Sequence, residues 1–314
     1  MKDMRGMTAV VTGASRGIGV HIARALAKEG VNLSLAARSK PELEVVRTEM
    51  AALGVKAIAN KCDVTIADDR ARLIARTESE LGTIDLLINN AGIETVSHFE
   101  TADEDELVRT IEVNLLAAMA LTRALLPGML ERRRGHVVNI ASGAGKVGVP
   151  YAVAYATSKH GLVGFTNSLR CEYHKQPVGF SVVCPGFVTD TGMYWRWEEA
   201  GVKAPKIVGR SSPQKVADVV VSCIRKNRGE VLVNTPPVRP LVVLSNIAPS
   251  VAPGVMKLFG YTRVFRRTAD LDERADDGRI AGSAAATDKT LKREKRDKLE
   301  KRLKRDEASK TGKG

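Results

Sequence analysis

Residues 12–19 read Thr-Gly-Ala-Ser-Arg-Gly-Ile-Gly and lie between two patterns of different period. Before them, residues 7–12 (Met-Thr-Ala-Val-Val-Thr) form a short β-branched run suited to a buried strand. After them, residues 18–28 carry apolar side chains at helical spacing and stop at Gly30. A glycine-rich turn from strand to helix lets the backbone approach a pyrophosphate at a helix N-terminus, where unpaired N–H groups point outward. The spacing here is Gly-x-x-x-Gly-x-Gly, not the commoner Gly-x-Gly-x-x-Gly. Taken alone, such a cluster can also be a tight turn and nothing more.

The alternation continues down the chain. Residues 31–36, 55–61, 84–89 and 135–141 read as strands, and residues 41–53, 67–81 and 103–130 as helices. An apolar-rich helical segment runs from about 151 to 175, and Ser212-Pro213 opens another helix as N-cap followed by proline at N1. Strands alternating with helices predict an α/β chain. Its centre is a Rossmann-type, doubly wound parallel sheet of about seven strands with helices on both faces. Ligands in such sheets bind beyond the carboxyl ends of the strands. Asp63-Val64, Asn89-Asn90-Ala91-Gly92 and Ala141-Ser142-Gly143 all fall at such ends.

The second strand ends in Ala37-Arg38-Ser39. An NAD site calls for an acid there to hold the ribose 2′-hydroxyl, whereas an arginine accommodates a 2′-phosphate. No acid occurs, Arg38 follows at once, and Arg16 in the glycine turn can supply a second cation. Both arginines could instead be ordinary solvated side chains. The missing acid predicts NADP(H) in preference to NAD(H).

Tyr155 and Lys159 stand at i,i+4 within the 151–175 segment, so a helix there puts phenol and ammonium on one face. A tyrosine ionises near pH ~10, and bringing it to neutrality takes about three units, or ~4 kcal/mol. A fixed neighbouring cation is one of the few ways to supply that. Alone, the pair is indistinguishable from a surface pair; its surroundings decide.

With Thr12-Gly-x-x-x-Gly-x-Gly19, Asn89-Asn-Ala-Gly92, Asn114, Ser142 thirteen positions before Tyr155, Tyr155-x-x-x-Lys159 and Pro185-Gly186, the chain resembles the short-chain dehydrogenase/reductase family over roughly residues 7–233. The resemblance implies that Tyr155 moves a proton to or from the substrate oxygen. It implies that Lys159 lowers the tyrosine pKa and binds the nicotinamide ribose, and that Ser142 holds the carbonyl oxygen. Asn114, a poor helix former, would bend its helix and hold a water at the lysine. Tyr155 and Lys159 also count among the residues at the cofactor. Gly13, Gly17 and Gly19 would admit the pyrophosphate, with Ser15, Arg16 and Ile18 beside them. Asp63 and Val64 would bracket the adenine, and Asn90, Ala91 and Gly92 would line the ribose. Pro185, Gly186 and Val188 would border the nicotinamide. Asp190 stands where the family often has threonine, which leaves open whether Thr189 or Thr191 reaches the carboxamide.

The implied activity is interconversion of a ketone and a secondary alcohol with NADP(H), on a lipophilic carbonyl of steroid, retinoid or fatty-acyl origin. A 3-oxoacyl-carrier-protein reductase and a non-catalytic NADPH-binding sensor or scaffold are the alternatives. A loop with Met193, Tyr194, Trp195 and Trp197 before Ser212 suits a lid over a bulky substrate, or an anchor to the core or a second subunit. Val149, Tyr151 and His98 are candidates for the pocket lining, with His98 in no catalytic role. A homodimer or homotetramer is expected.

Cys62, Cys171, Cys184 and Cys223 are scattered and suit small core residues in a reducing compartment, with no metal site. The N-terminus has no signal-peptide core, so the chain is expected in the cytoplasm. The family pattern ends near residue 235, closing a catalytic domain of residues 1–235. Residues 236–268 follow as an apolar, proline-rich extension, with no charge between 240 and 256. Pro249 and Pro253 interrupt it, so it does not span a bilayer. It suits a cover for the pocket, a dimer contact, or a peripheral patch on the inner face of a membrane. Residues 269–314 form a charged tail expected to lack fixed structure, and its basic end holds roughly half of the formal net charge of +13. Nucleic-acid contact through it would be nonspecific.

Overall fold

The alternate residues of the first strand, β1 (Thr8–Thr12), explain why helices cover both faces of the sheet. Ala9 and Val11 pack into one apolar cluster and Val10 into another, so β1 is buried on both sides. The structure, a computed structural model, describes residues 3–204, 210–235 and 239–276. The chain then runs α1 (Ile18–Lys28), β2 (Asn32–Ala37), α2 (Lys40–Ala52), β3 (Ala57–Lys61), α3 (Ala67–Leu81) and β4 (Ile84–Asn89). It continues through α4 (Glu104–Ile111), α5 (Ala117–Glu131), β5 (Gly135–Ile140), α6 (Val153–Glu172) and β6 (Val178–Pro185). Next come β7 (Phe187–Val188), α7 (Gly192–Glu199), β8 (Arg210–Ser211), α8 (Pro213–Lys226) and β9 (Glu230–Val233). The last described elements are α9 (Arg239–Ile247), α10 (Ala252–Leu258) and α11 (Tyr261–Asp276).

Seven parallel strands form one sheet in the order β3-β2-β1-β4-β5-β6-β9. Apolar side chains of α1, α2 and α8 (Ile22, Leu26, Leu43, Met50, Val220, Ile224) cover one face. Those of α3, α5 and α6 (Leu73, Leu121, Met129, Leu162) cover the other. The strand order reverses between β1 and β4, which opens a crevice at their carboxyl ends. By length and composition alone the Glu104–Glu131 run could cross a bilayer, but it packs as a core helix through Leu121, Leu125 and Met129.

Three parts of the chain differ from the sequence expectation. The single helix expected over 103–130 is α4 and α5 joined by a π turn, Glu112–Leu116, with Asn114 buried inside it. The extra residue of a π turn re-aims side chains without ending the helix, so an apolar pattern does not reveal it. The stretch between Pro185 and Ser212, expected as a loop, contains the β7–β8 pair and helix α7. Its low apolar periodicity hides a helix held by aromatic packing. Helix α11 runs unbroken across position 269, where the tail was expected to begin, and Ala269 is buried. The charged end beyond 276 lies outside the described residues.

A polar ladder fixes the middle of the sheet. Asn89 on β4 donates through Nδ2 to Asn139 Oδ1 on β5 at 2.8 Å, and Asn139 Nδ2 donates to Thr166 Oγ1 on α6 at 2.9 Å. The two asparagines face each other in register. Because all three are buried, Asn139→Ala removes both bonds and opens a cavity, leaving Asn89 only its longer contacts to Thr122 and Ala118 and Thr166 its bond to the Leu162 carbonyl. Urea unfolding should show a loss of about 1–3 kcal/mol for this variant; an unchanged midpoint would mean that the ladder contributes nothing.

Candidate active site

The glycine turn is clamped to the neighbouring strand by one hydroxyl. Thr12 Oγ1 donates to the Ile88 carbonyl at 3.2 Å and accepts the N–H groups of Asn90 and Ala91 at 3.0 Å each. Asn90 Nδ2 returns the contact to the carbonyls of Thr12 and Gly13 at 3.0 and 3.1 Å. Gly13 has φ +66°, and a Cβ there would sit 2.9 Å from the Ala91 backbone. A Cβ on Gly19 would sit 2.2 Å from the Gly13 carbonyl oxygen. No side chain caps α1, and its first turn has no acid. The N–H groups of that turn are thus left for an anion. This uncapped cradle fits a dinucleotide pyrophosphate.

The cradle opens on a cavity of about 620 Å³. Gly13, Ser15, Arg16, Gly17 and Ile18 form its floor. Arg38, Asp63 and Val64 line one end, where β2 and β3 finish. Asn90, Ala91 and Gly92 line the middle, with Pro185, Gly186 and Val188 beyond. Of the residues singled out from the sequence, Gly19 and Asn114 lie behind this lining, and support it. Arg16 and Arg38 are exposed and make no ion pair among the described residues. Arg109 of α4 also lines this end, a residue for which the sequence carried no motif. Burial pushes the Asp63 carboxyl up, but hydrogen bonds from Thr65 and the charges of Arg38 and Arg109 hold it below the usual range. The end therefore sets the cations Arg16, Arg38 and Arg109 beside two carboxylates, Glu42 and the anchored Asp63.

Ser142 follows β5 and accepts the Ala144 N–H at 3.1 Å. Tyr155 and Lys159 stand on α6 and are buried, and Lys159 Nζ lies 5.6 Å from the centre of the Tyr155 ring. The ammonium donates to the Ile140 carbonyl at 3.0 Å. Asn114 Oδ1 accepts the Ile93 N–H at 2.8 Å, while its Nδ2 donates to the Ile93 carbonyl at 2.9 Å and to Ser158 Oγ at 3.0 Å. The π turn thus pins the chain at Gly92, where an added Cβ would lie 3.2 Å from Asn114 Oδ1 and 3.5 Å from Lys159 Nζ. Burial lowers the Lys159 pKa to about 8, against the charge of Glu94, which raises it. Burial and Glu94 push the Tyr155 phenol above its ordinary value, against a hydrogen bond with Ser142 that lowers it. The lysine was expected to bring the phenol down, but in this structure burial dominates. The phenol is a held proton.

The far side of the cavity is aromatic. Phe187 lies 4.7 Å from Tyr194 and 6.0 Å from Tyr261 between ring centres, and Trp197 meets Phe265 edge-on at 5.1 Å. Phe265 shares one apolar cluster with Tyr155, and Trp195, Val242 and Met256 complete the wall. Val149 lines the cavity as expected, but Tyr151 and His98 do not. Tyr151 has a left-handed backbone (φ 63°), its ring packs edge-on with His98, and His98 is hydrogen-bonded to Asp270 of α11. Thr191 lines the cavity, whereas the Thr189 hydroxyl is engaged with Asp190 Oδ2 at 2.9 Å. Glu94, Asn234, Tyr261 and Phe265 were missed from the sequence. Only the last two left a signal, an aromatic pair at i,i+4.

A family model described as short chain dehydrogenase matches residues 7–201. The ketoacyl reductase HetN of Nostoc sp. is 40% identical over 286 residues, covering 90% of this chain and 98% of its own. Among solved structures, a metagenomic short-chain oxidoreductase in complex with NADP is 36% identical, with a TM-score of 0.63, covering 73% of this chain and 97% of its own. A variant of actinorhodin polyketide ketoreductase with NADPH is 32% identical, with a TM-score of 0.67, covering 74% of this chain and 97% of its own. A match over nine-tenths of the chain extends beyond residue 235, so HetN shares at least part of the C-terminal extension.

The buried ammonium is directly measurable. NMR of the Lys159 side chain should give a titration midpoint of about 8. Glu94→Gln should move that midpoint down, because the carboxylate it removes favours the charged amine. A midpoint near the ordinary lysine value of ~10.4 in both proteins would contradict the burial of this charge.

Proposed function

Because the chain belongs to the short-chain dehydrogenase/reductase family and is an oxidoreductase of that family, we propose that it uses NADPH to reduce a bulky, lipophilic ketone to a secondary alcohol. The observation that carries this reading is the cavity itself. Ser142, Tyr155 and Lys159 lie on its polar side, and Phe187, Tyr194, Trp197, Tyr261 and Phe265 on the other. Such a wall suits a long or polycyclic apolar body, and the polar side suits one oxygen. Fatty-acyl-derived ketones come first, ahead of steroid and retinoid ones, because HetN is named a ketoacyl reductase.

Bound NADPH supplies the hydride that reduces the carbonyl carbon. Gly13, Gly17 and the uncapped α1 turn hold its pyrophosphate, and Arg16, Arg38 and Arg109 meet its 2′-phosphate. Lys159 and Asn90 hold the nicotinamide ribose, with Pro185, Gly186, Val188 and Thr191 around the ring. Ser142 donates a hydrogen bond to the substrate oxygen as negative charge develops there. Tyr155 then delivers its proton to that oxygen. A phenol kept protonated by burial is suited to giving a proton, which favours reduction over oxidation at neutral pH. Lys159 stabilises the phenolate left behind.

The HetN likeness supports a second reading within the same chemistry, in which the ketone is a 3-oxoacyl group presented on an acidic carrier protein. A non-catalytic NADPH sensor has no chemical need of Ser142, Tyr155 and Lys159 around one cavity, and that reading is weaker.

NADPH consumption should therefore be followed with lipophilic ketones, 3-oxoacyl thioesters of small thiols, and the same acyl groups on carrier protein. Turnover of the carrier-bound form alone would favour the second reading, and no turnover of any ketone would support the sensor. Tyr155→Phe should lower kcat by about 10²–10⁴-fold while leaving NADPH affinity intact. Arg38→Ala should raise KM for NADPH roughly tenfold and leave KM for NADH unchanged; equal effects would remove the 2′-phosphate contact. In wild type, kcat/KM for NADPH, which reports the free enzyme, should be level below about pH 8 and fall above it as Lys159 loses its charge.

A further inference from the structure

Residues 240–256 contain no charged side chain, yet they form the cap of the cavity, not its interior. One face of this cap is accounted for. Val242 on α9 and Met256 on α10 are buried and line the cavity. The opposite face is also apolar. Val243 and Leu244 are each 48% exposed, Val251 45%, Ile247 78% and Leu258 81%. An amphipathic cap closing a pocket would carry polar residues outside. Large apolar side chains left exposed in this number on two consecutive helices mark a contact with something else.

The groove beside it identifies the chemistry of that contact. Lys203, Lys257, Arg263, Arg266 and Arg267 line it together with Leu258, and none of them makes an ion pair among the described residues. The acid in that lining, Asp270, is bonded to His98. Along α11 the half nearest the cap carries Arg263, Arg266 and Arg267 and no acid, while the other half is acidic on balance, with Asp270, Asp272, Glu273 and Asp276 against Arg274.

We propose that the outer face of α9–α10, with the cations at the start of α11, docks on the surface of an anionic lipid bilayer. Apolar side chains beside a row of unpaired cations match the acyl boundary and the headgroup charge of such a surface together. A second copy of this chain is a poorer occupant. A two-fold contact through this face would set cations against cations in a chain of net charge +13. An acidic carrier protein would satisfy the cations but leave the apolar face unexplained. Docking places the bilayer against the same helices whose inner side chains border the cavity. The inference does not depend on which ketone is reduced.

Vesicle flotation tests it with the full chain. The protein should float with phosphatidylcholine vesicles containing phosphatidylglycerol, less with phosphatidylcholine alone, and be released by high salt. Replacing Ile247 and Leu258 together by Glu should cut the bound fraction by about tenfold or more, and so should reversing Arg263, Arg266 and Arg267 to Glu. NADPH binding checks that each variant is folded. If the Glu pair fails that check, the milder pair Ile247→Ser and Leu258→Ser replaces it, with the same direction expected. Failure of the wild type to float overturns the proposal. So does equal flotation of wild type and the Ile247/Leu258 pair, which would transfer lipid contact to the basic end of the chain. If the wild type does not float, and the pair instead converts a dimer to a monomer in sedimentation equilibrium, the face is a contact between copies.

Discussion

A charged ammonium taken out of water organises this site. Lys159 is 4% exposed, and a buried lysine is tolerated only where fixed dipoles replace the lost hydration. The Ile140 carbonyl at the end of β5 supplies one of these. Glu94 adds a favourable charge, and the missing side chain at Gly92 keeps the space beside Nζ open. Gly92 in turn stays in place because Asn114 binds both backbone groups of Ile93. The same asparagine reaches Ser158 Oγ, which donates to the Tyr155 carbonyl at 2.7 Å. One side chain in a π turn therefore ties the strand end to the turn of α6 that carries Tyr155. Moving it would shift a buried phenol and a buried cation at once.

The depressed Lys159 pKa and the raised Tyr155 pKa share a cause. Both groups are enclosed in the same apolar pocket wall, and enclosure favours the neutral form of each. The lysine therefore keeps its charge at neutrality and loses it at about pH 8, while the tyrosine is far from losing its proton. Within such a pair, the cation's value lies after the proton has left, when it faces a phenolate in a medium of low dielectric.

The sheet and the glycine cradle were legible because their constraints are local. A strand buried on both faces must be an unbroken apolar run, as at Val10 and Leu87, and a backbone that touches Ala91 admits only glycine at position 13. The grouping of Ser142, Tyr155 and Lys159 at one cavity was legible because their spacing is set by one strand end and one helix. What stayed hidden depends on distant parts of the chain. Thr191 and Thr189 differ only in which carboxylate or cavity each faces, and Asp190 settles that by binding Thr189. Tyr151 was expected in the pocket lining, but it has a left-handed backbone and its ring packs against His98. Composition gave the apolar extension three readings, because a proline-broken stretch without charge between 240 and 256 shows no clear polar face from which to assign its contacts.

Apolar side chains on both the inward and the outward side of the cap have a physical consequence for the cavity. The inward residues of α9, α10 and α11 close a space large enough for a substantial apolar ligand, so the cap contributes wall area at the site itself. Its outward residues hold it to the fold only weakly, because exposed Ile247 and Leu258 gain almost none of the ~1.5–3 kcal/mol that burial of such side chains provides. A covering segment with one packed face and one unsatisfied face opens at lower cost than a helix packed on both. Any surface that covers the outer face would stabilise the cap from outside. It would also present an apolar medium beside the aromatic wall that faces Tyr155. Access to the cavity and anchorage of the cap are then aspects of one contact, set by the absence of charge between residues 240 and 256.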